Sequence, residues 1–187
     1  MRAAELVTER LRLRLPSPAD ATVAASLLGD PEVMRFLGGQ TVPEEHVPAV
    51  VERWIDRWDQ NDLGPFVIER RDDGVFVGRA GILVWDSRTW TQTTVRAGGS
   101  YAQPELGWAL VREHWGNGYA TEAARAVRDW ARRERDVGRL VSLIAPGNAR
   151  SQHVAERLGA SPAETVRLFD SGDAVVWVHP DDQPTTR

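Results

Sequence analysis

Glu105-Leu106-Gly107-Trp108-Ala109-Leu110-Val111 and, three residues later, Trp115-Gly116-Asn117-Gly118-Tyr119-Ala120-Thr121-Glu122-Ala123 form the stretch that decides the fold. The first part alternates: residues 105, 107 and 109 share one face, and Leu106, Trp108 and Leu110 fill the other, as in a strand ending at Val111. The second part opens a helix over 119–135, with Ala120, Ala123, Ala124, Val127, Trp130 and Ala131 on one side. The first turn of a helix exposes N–H groups with no internal partner, at the positive end of its dipole. Two glycines at the entry let the backbone adopt positive φ and approach an anion closely. A strand–glycine–helix turn of this kind can hold a diphosphate without a lysine, with Thr121 adding a hydroxyl. Glycines also turn strands into helices where no ligand binds, and that reading stays open on the local pattern alone. A dinucleotide fingerprint is less suitable, since Thr121 stands where its third glycine would fall.

Working outward, a buried strand is expected over 140–145 and a helix over 149–158, stopped by Gly159. Residues 165–169 and 174–178 read as a closing hairpin across Asp170-Ser171-Gly172-Asp173, and residues 181–187 as a frayed tail. On the N-terminal side, residues 5–14 alternate like one half-buried strand, with Leu11, Leu13 and Leu15 facing one way and Arg10, Arg12 and Arg14 the other. Ser17-Pro18-Ala19-Asp20 opens a helix reaching Leu28, and 32–37 reads as one further helical turn. Thr41 is expected to cap a helix opening at Pro43, in which Val47, Val50, Val51, Trp54, Ile55 and Trp58 recur at helical spacing. Both tryptophans read as core. Strands follow over 64–71 and 75–85 around the Asp72-Asp73-Gly74 turn. Residues 86–103 form the least regular stretch and suggest a long mobile connection. The alternation of strands and helices predicts one α/β domain over 1–180, a mixed sheet with helices on both faces.

Composition narrows the chemistry. Among 187 residues there is no cysteine and no lysine, which excludes thiolate metal sites, cysteine nucleophiles, Schiff bases and a P-loop lysine. His46, His114, His153 and His179 are not at metal-ligand spacing, so no metal is expected. The net charge of −4 argues against a nucleic-acid partner. No apolar run approaches the roughly 18 residues of a membrane span, so no membrane partner is expected and the default location is cytoplasmic.

Trp115-Gly116-Asn117-Gly118-Tyr119-Ala120-Thr121-Glu122-Ala123 resembles the acetyl-CoA signature of the GNAT superfamily, and more narrowly of its RimJ/RimL-like branch. Three further stretches are similar to that branch, in order: Thr8-Glu9-Arg10-Leu11-Arg12-Leu13-Arg14, Asp30-Pro31-Glu32-Val33-Met34-Arg35-Phe36-Leu37, and Asn148-Ala149-Arg150-Ser151 leading to Arg157-Leu158-Gly159. The resemblance spans about residues 8–178. It implies a central, mostly antiparallel sheet, acetyl-CoA as cofactor, and acetyl transfer to a primary amine, either a protein N-terminus or a small molecule, by a monomer or homodimer. Ala155 stands where many members carry a tyrosine acid, and the 86–103 stretch is longer than usual.

The same resemblance assigns cofactor binding to Leu110, Val111, Trp115, Gly116, Asn117, Gly118, Tyr119, Ala120, Thr121, Asn148 and Ser151. The backbone of Leu110 and Val111 would pair with the pantetheine amides like an added strand. Glu105, beside small neighbours on its strand face, is the candidate base for an ammonium acceptor; a solvated or salt-bridged edge residue is the competing reading. Ser151 is the remaining candidate near the departing thiol, or a polar surface serine, and Asn148 would bind the cofactor or cap a helix. Arg125, Arg128 and Arg150 are candidates for the 3′-phosphate. Asp30, Glu32, Glu44 and Glu45, close to the expected acceptor loops, favour a cationic acceptor. Two other functions fit the same residues: a non-catalytic acyl-CoA-binding module and a nucleotide- or other phosphate-binding protein.

Overall fold

The structure, a computed structural model, describes residues 5–168 and 172–181. Its centre is the strand β6 (Ala102–Leu110), which joins the two halves of one sheet. On one side lies β4 (Phe76–Asp86), antiparallel to β6 from Gly78↔Leu110 to Asp86↔Ala102. Beyond it lie β3 (Pro65–Arg70), β2 (Leu11–Arg14) and β1 (Glu5–Val7), all antiparallel. On the other side lie β7 (Val141–Ile144), β9 (Gly172–Val178) and β8 (Ser161–Leu168). The β6–β7 pair is parallel, while the other strand pairs among the described residues are antiparallel. The mixed, mostly antiparallel α/β sheet expected from sequence is therefore present.

Helices cover both faces. The helix α5 (Tyr119–Arg135) lays Ala123, Ala124, Val127, Trp130 and Ala131 against Ile82, Leu106 and Leu110. The opposite face carries α1 (Ala21–Leu28), α2 (Pro31–Met34) and α3 (Val47–Asn61), whose Leu27, Val33, Val51 and Trp54 cluster with Ala109. Trp58 of α3 closes the sheet end, its ring centroid 4.7 Å from Phe66 and 5.6 Å from Trp130. Its indole N–H is satisfied by the Pro65 carbonyl at 2.9 Å, so a large apolar ring is buried without stranding a donor. Both tryptophans of α3 are thus core.

Four local expectations need correction. Residues 5–14 are not one strand: β1 and β2 fold back as a hairpin, with Leu6 opposite Leu13, so Arg10 lies in the turn. Thr8 makes that turn, its hydroxyl accepting from the Leu11 amide at 3.0 Å. Thr41 does not cap α3; a 3₁₀ turn over Glu44–His46 leads into Val47 instead. Residues 86–103 are folded. There β5 (Thr91–Gln92) pairs with β4, and α4 (Val95–Gly98) is capped by the Thr94 hydroxyl, which accepts from Ala97 at 3.0 Å. The Asn61 side chain fixes this segment by accepting from the Val95 amide at 2.8 Å. The closing strands start earlier than expected, at Ser161 and Gly172. Phe169, Asp170, Ser171 and residues 182–187 of the expected tail lie outside the described residues. Among the described residues, no helix is long and apolar enough to cross a membrane.

Candidate active site

The site begins where β6 and β7 part. They share a single register pair, Glu105↔Val141, and the Ser142 hydroxyl donates to the Leu106 carbonyl at 2.6 Å. His179 secures that junction: its Nε2 lies 2.9 Å from Ser142 Oγ. Since Ser142 spends its proton on Leu106, His179 donates through Nε2. Burial, helped by Arg128 and Arg132, pushes its pKa down to about 4. Above this pin β6 has no strand partner on its β7 side among the described residues, and α6 (Ala149–Arg157) follows β7 in the chain.

The direction of the free edge follows from strand alternation. The Val111 amide donates to Val77 on β4 at 3.0 Å, so that amide is committed inward and is not offered to a ligand, contrary to the expected pairing. Leu110 faces the opening instead. Its carbonyl already accepts from the Trp115 indole at 2.8 Å, which leaves the Leu110 amide and the Trp108 backbone on the exposed side. Trp115 thereby ties the loop to the strand, and Arg150 of α6 stacks on its other side, 3.9 Å from the ring centroid.

The loop after Trp115 has the geometry the sequence demanded. Gly116 and Gly118 both sit at φ +79°, a region that side chains rarely adopt. Among the described residues, the amides of Gly116, Gly118, Tyr119, Ala120 and Thr121 have no protein acceptor. Asn117 turns its side-chain amide inward to the carbonyls of His114 and Trp115, both at 3.2 Å, so it shapes the loop rather than reaching outward. A cavity of about 340 Å³ runs along this loop, bounded by Trp108, Leu110, Trp115, Gly118, Thr121 and Ser151 among others.

Arg10 is the residue of this region that the sequence reading missed. Its guanidinium donates to the Asn117 carbonyl at 2.9 Å and to Glu122 at 2.7 Å, and lies 4.7 Å from the Tyr119 ring centroid. Glu122 also accepts from the Arg10 amide at 2.9 Å and the Thr8 hydroxyl at 2.6 Å. The N-terminal hairpin therefore clamps both sides of the glycine loop. The signal was present in the quoted Thr8-Glu9-Arg10 and Glu122, but reading 5–14 as one strand pointed Arg10 to solvent.

A second cavity, about 210 Å³, lies beyond Trp108 and shares Phe36, Leu37, Trp108, Asn148 and Ser151 with the first. Glu105 lines it and is buried, with no ion pair among the described residues, so the competing reading of a solvated or salt-bridged edge residue is not met. Its carboxyl lies over Gly107, where an added Cβ would come within 3.2 Å of Oε1 and the carboxyl would have to shift by a few tenths of an ångström. Burial pushes the Glu105 pKa up to about 7, against hydrogen bonds from the Trp85 indole and the Leu143 backbone and the charges of Arg79 and Arg57. Asn148 caps α6, accepting from the Ser151 amide at 3.2 Å, so the capping reading holds and both side chains also line both cavities. Ala155 is buried in core, leaving no hydroxyl there.

Of the candidate phosphate arginines, Arg128 is buried and donates to the Leu158 carbonyl, and Arg125 lines neither cavity. Arg150 lines the larger one. The acids expected to attract a cation do not gather at the smaller cavity. Asp30 caps α2 and pairs with Arg112, Glu44 and Glu45 are exposed at the start of α3, and Glu32 borders the larger cavity only.

Residues 10–161 match the acetyltransferase (GNAT) domain family, and the chain belongs to that family. The uncharacterized protein YkkB of Bacillus subtilis (strain 168) is 34% identical over 91% of this chain and 93% of its own length. A crystal structure of an acetyltransferase from Agrobacterium tumefaciens str. C58 is 28% identical with a TM-score of 0.77, covering 97% of this chain and 96% of that one. RimL, a ribosomal L7/L12 alpha-N-protein acetyltransferase solved in complex with coenzyme A, shares the fold at a TM-score of 0.73 and 14% identity, covering 96% of this chain and 99% of that one.

Proposed function

We propose that this chain is an acetyl-CoA-dependent N-acetyltransferase that acts on a primary amine in a ternary complex. The observation that carries the reading is the meeting of two cavities at Trp108, Asn148 and Ser151, one edged by unpartnered amides and the other holding a buried carboxyl. The residues present fit acetyl-CoA: the amides of Gly116 and Gly118–Thr121 suit its diphosphate, and the free edge of β6 at Leu110 suits its amide arm. When bound, acetyl-CoA supplies an activated acetyl thioester.

The chain's own residues do the rest. An alkyl ammonium has a pKa near ~10.4 and must lose a proton before it is nucleophilic. Glu105, raised to about 7, is a stronger base than an ordinary carboxylate and is still ionised in half or more of the molecules at neutral pH and above. A proton moving from the amine to a Glu105 oxygen, directly or through water, enters a site shielded by Trp85 and Trp108. The Leu110 amide, free on the β7 side of β6, suits a carbonyl oxygen of the bound cofactor. Ser151 offers a hydroxyl, too weak an acid to donate a proton outright but suited to a hydrogen bond. The Gly116–Thr121 amides and Arg150 position one substrate while the smaller cavity positions the other. With no cysteine, no acyl-cysteine route exists.

The four quoted stretches support a reading within the RimJ/RimL-like branch, which implies an amine acceptor on a protein or a small molecule. A catalytic role is favoured over a sensing module because a sensor has no use for a buried base beside the cofactor cavity. Release of CoA with an amine panel tests this: turnover that vanishes in Glu105→Gln while CoA still binds supports it. CoA binding with no turnover on any amine overturns it.

A further inference from the structure

Arg79 is the charged group in the smaller cavity that the proposed chemistry leaves unused. It projects from β4 on the face that carries Glu105, opposite Ala109 on β6 and Val67 on β3. Its guanidinium carbon lies 5.6 Å from the Trp54 ring centroid, so Trp54 supports it from below. Among the described residues it has neither an ion-paired carboxylate nor a hydrogen-bond acceptor, and its Nε is buried with no partner. Such a donor is costly to leave unsatisfied, and a guanidinium more so. Between Arg79 and Glu105 the floor is the glycine pair Gly81↔Gly107, over which the Glu105 carboxyl itself lies.

We infer that Arg79 receives an anionic group of the acceptor, so that the acceptor is a small zwitterion, an amine bearing a carboxylate, with its nitrogen at Glu105 and its carboxylate at Arg79. The inference rests on the transferase reading and names its substrate class. The forked donors of arginine suit a carboxylate, and a desolvated cavity strengthens the pair. Phe36, Leu37, Trp85 and Trp108 give the walls an apolar, aromatic character that suits an apolar side chain on the same molecule. Burial, with a smaller push from Arg57, pulls the Arg79 pKa down to about 10 against the opposing charge of Glu105, which leaves it cationic at neutral pH but without a direct partner until an anion arrives. A polycationic acceptor would meet that charge unfavourably, and a peptide N-terminus would bring an amide carbonyl where the carboxylate belongs.

The test pairs turnover with binding. Free amino acids with apolar side chains, their amides, short peptides and a polyamine are compared as acceptors by CoA release, in wild type, Arg79→Gln and Arg79→Lys. The expected result is a preference of tenfold or more in kcat/KM for free acids over their amides. It should be abolished in Arg79→Gln through KM and partly restored in Arg79→Lys, with the amides changing far less than the acids. Thermal shift of the CoA-loaded protein should show stabilisation by the acids but not the amides, again dependent on Arg79. Because the wild-type guanidinium has no hydrogen-bond acceptor among the described residues, ligand-free Arg79→Gln should melt no lower than wild type. Equal use of acids, amides and polyamine by wild type overturns the anion site while leaving the transferase reading intact. So does an Arg79→Gln defect that is equal for all acceptors or appears only as a shifted pH profile, which would make Arg79 a tuner of Glu105. Arg79-dependent binding of acids with no turnover on any amine upholds the anion site and overturns the transferase reading.

Discussion

The two cavities are built on opposite principles. The larger one is edged by backbone: amides of Gly116 and Gly118–Thr121 at a helix start, and the free edge of β6. The smaller one is made of side chains, with Glu105 from β6, Arg79 and Trp85 from β4, Phe36 and Leu37 from the loop after α2, and Ser142 from β7. A backbone site tolerates changes of side chain and fails when the backbone is forced. A side-chain site fails at single residues and changes its specificity without changing the fold.

The largest expected effect lies on the side-chain side. Glu105→Gln should lower kcat by roughly 10²–10⁴-fold, the usual contribution of a positioned base, while CoA affinity by calorimetry stays within twofold. In wild type, kcat should rise with pH through about 7 as Glu105 ionises, and this limb should vanish in the variant. A drop in CoA affinity of the same size would merge the two cavities into one unit and break the comparison.

Gly118→Val should act next, on the backbone side. A branched side chain is strained at φ +79°, and losing one or two charge-assisted bonds to a phosphate costs CoA affinity roughly 10–100-fold. Wild-type affinity in this variant would contradict the diphosphate assignment. Arg10→Ala should be milder, a weakening of roughly three- to tenfold, because it loosens a clamp that is largely exposed rather than removing a donor. Its amine KM should be unaffected, which separates a loop-positioning role from a general loss of fold.

A separate effect, on stability and not on turnover, concerns the pin where β6 and β7 part. Folded His179 stays neutral down to about 4, whereas an unfolded histidine protonates near 6.5. The unfolded chain therefore binds more protons between those values, and stability falls as pH drops from about 6.5 to 4. The loss attributable to this group is roughly 3 kcal/mol, and His179→Gln should flatten that part of a denaturation-against-pH curve.

Legibility followed the same division. The strand–glycine–helix stretch was readable because its signals are local: alternation over 105–111, glycines at 116 and 118, and a helical period from Tyr119, the residue at which α5 starts. Glu105 was nameable for the same reason, but its burial was not, since Trp85 and Leu143 reach it from other strands. Arg79 was invisible in sequence because an arginine on a strand reads as solvated surface. Only the register with β6 puts it on the floor of a cavity. Arg10 was misplaced because alternation continues across a tight hairpin, and periodicity cannot distinguish one strand from two that fold back at Thr8. The folded 86–103 segment escaped because its order comes from tertiary anchors such as Asn61.

The most direct test of the central claim is to follow the backbone amide resonances of residues 116–121 while adding coenzyme A, and separately pantetheine, which lacks the diphosphate. The account predicts large shifts at Gly116 and Gly118–Thr121 with coenzyme A and little change there with pantetheine. Equal shifts with both ligands, or none with coenzyme A at saturation, would contradict it.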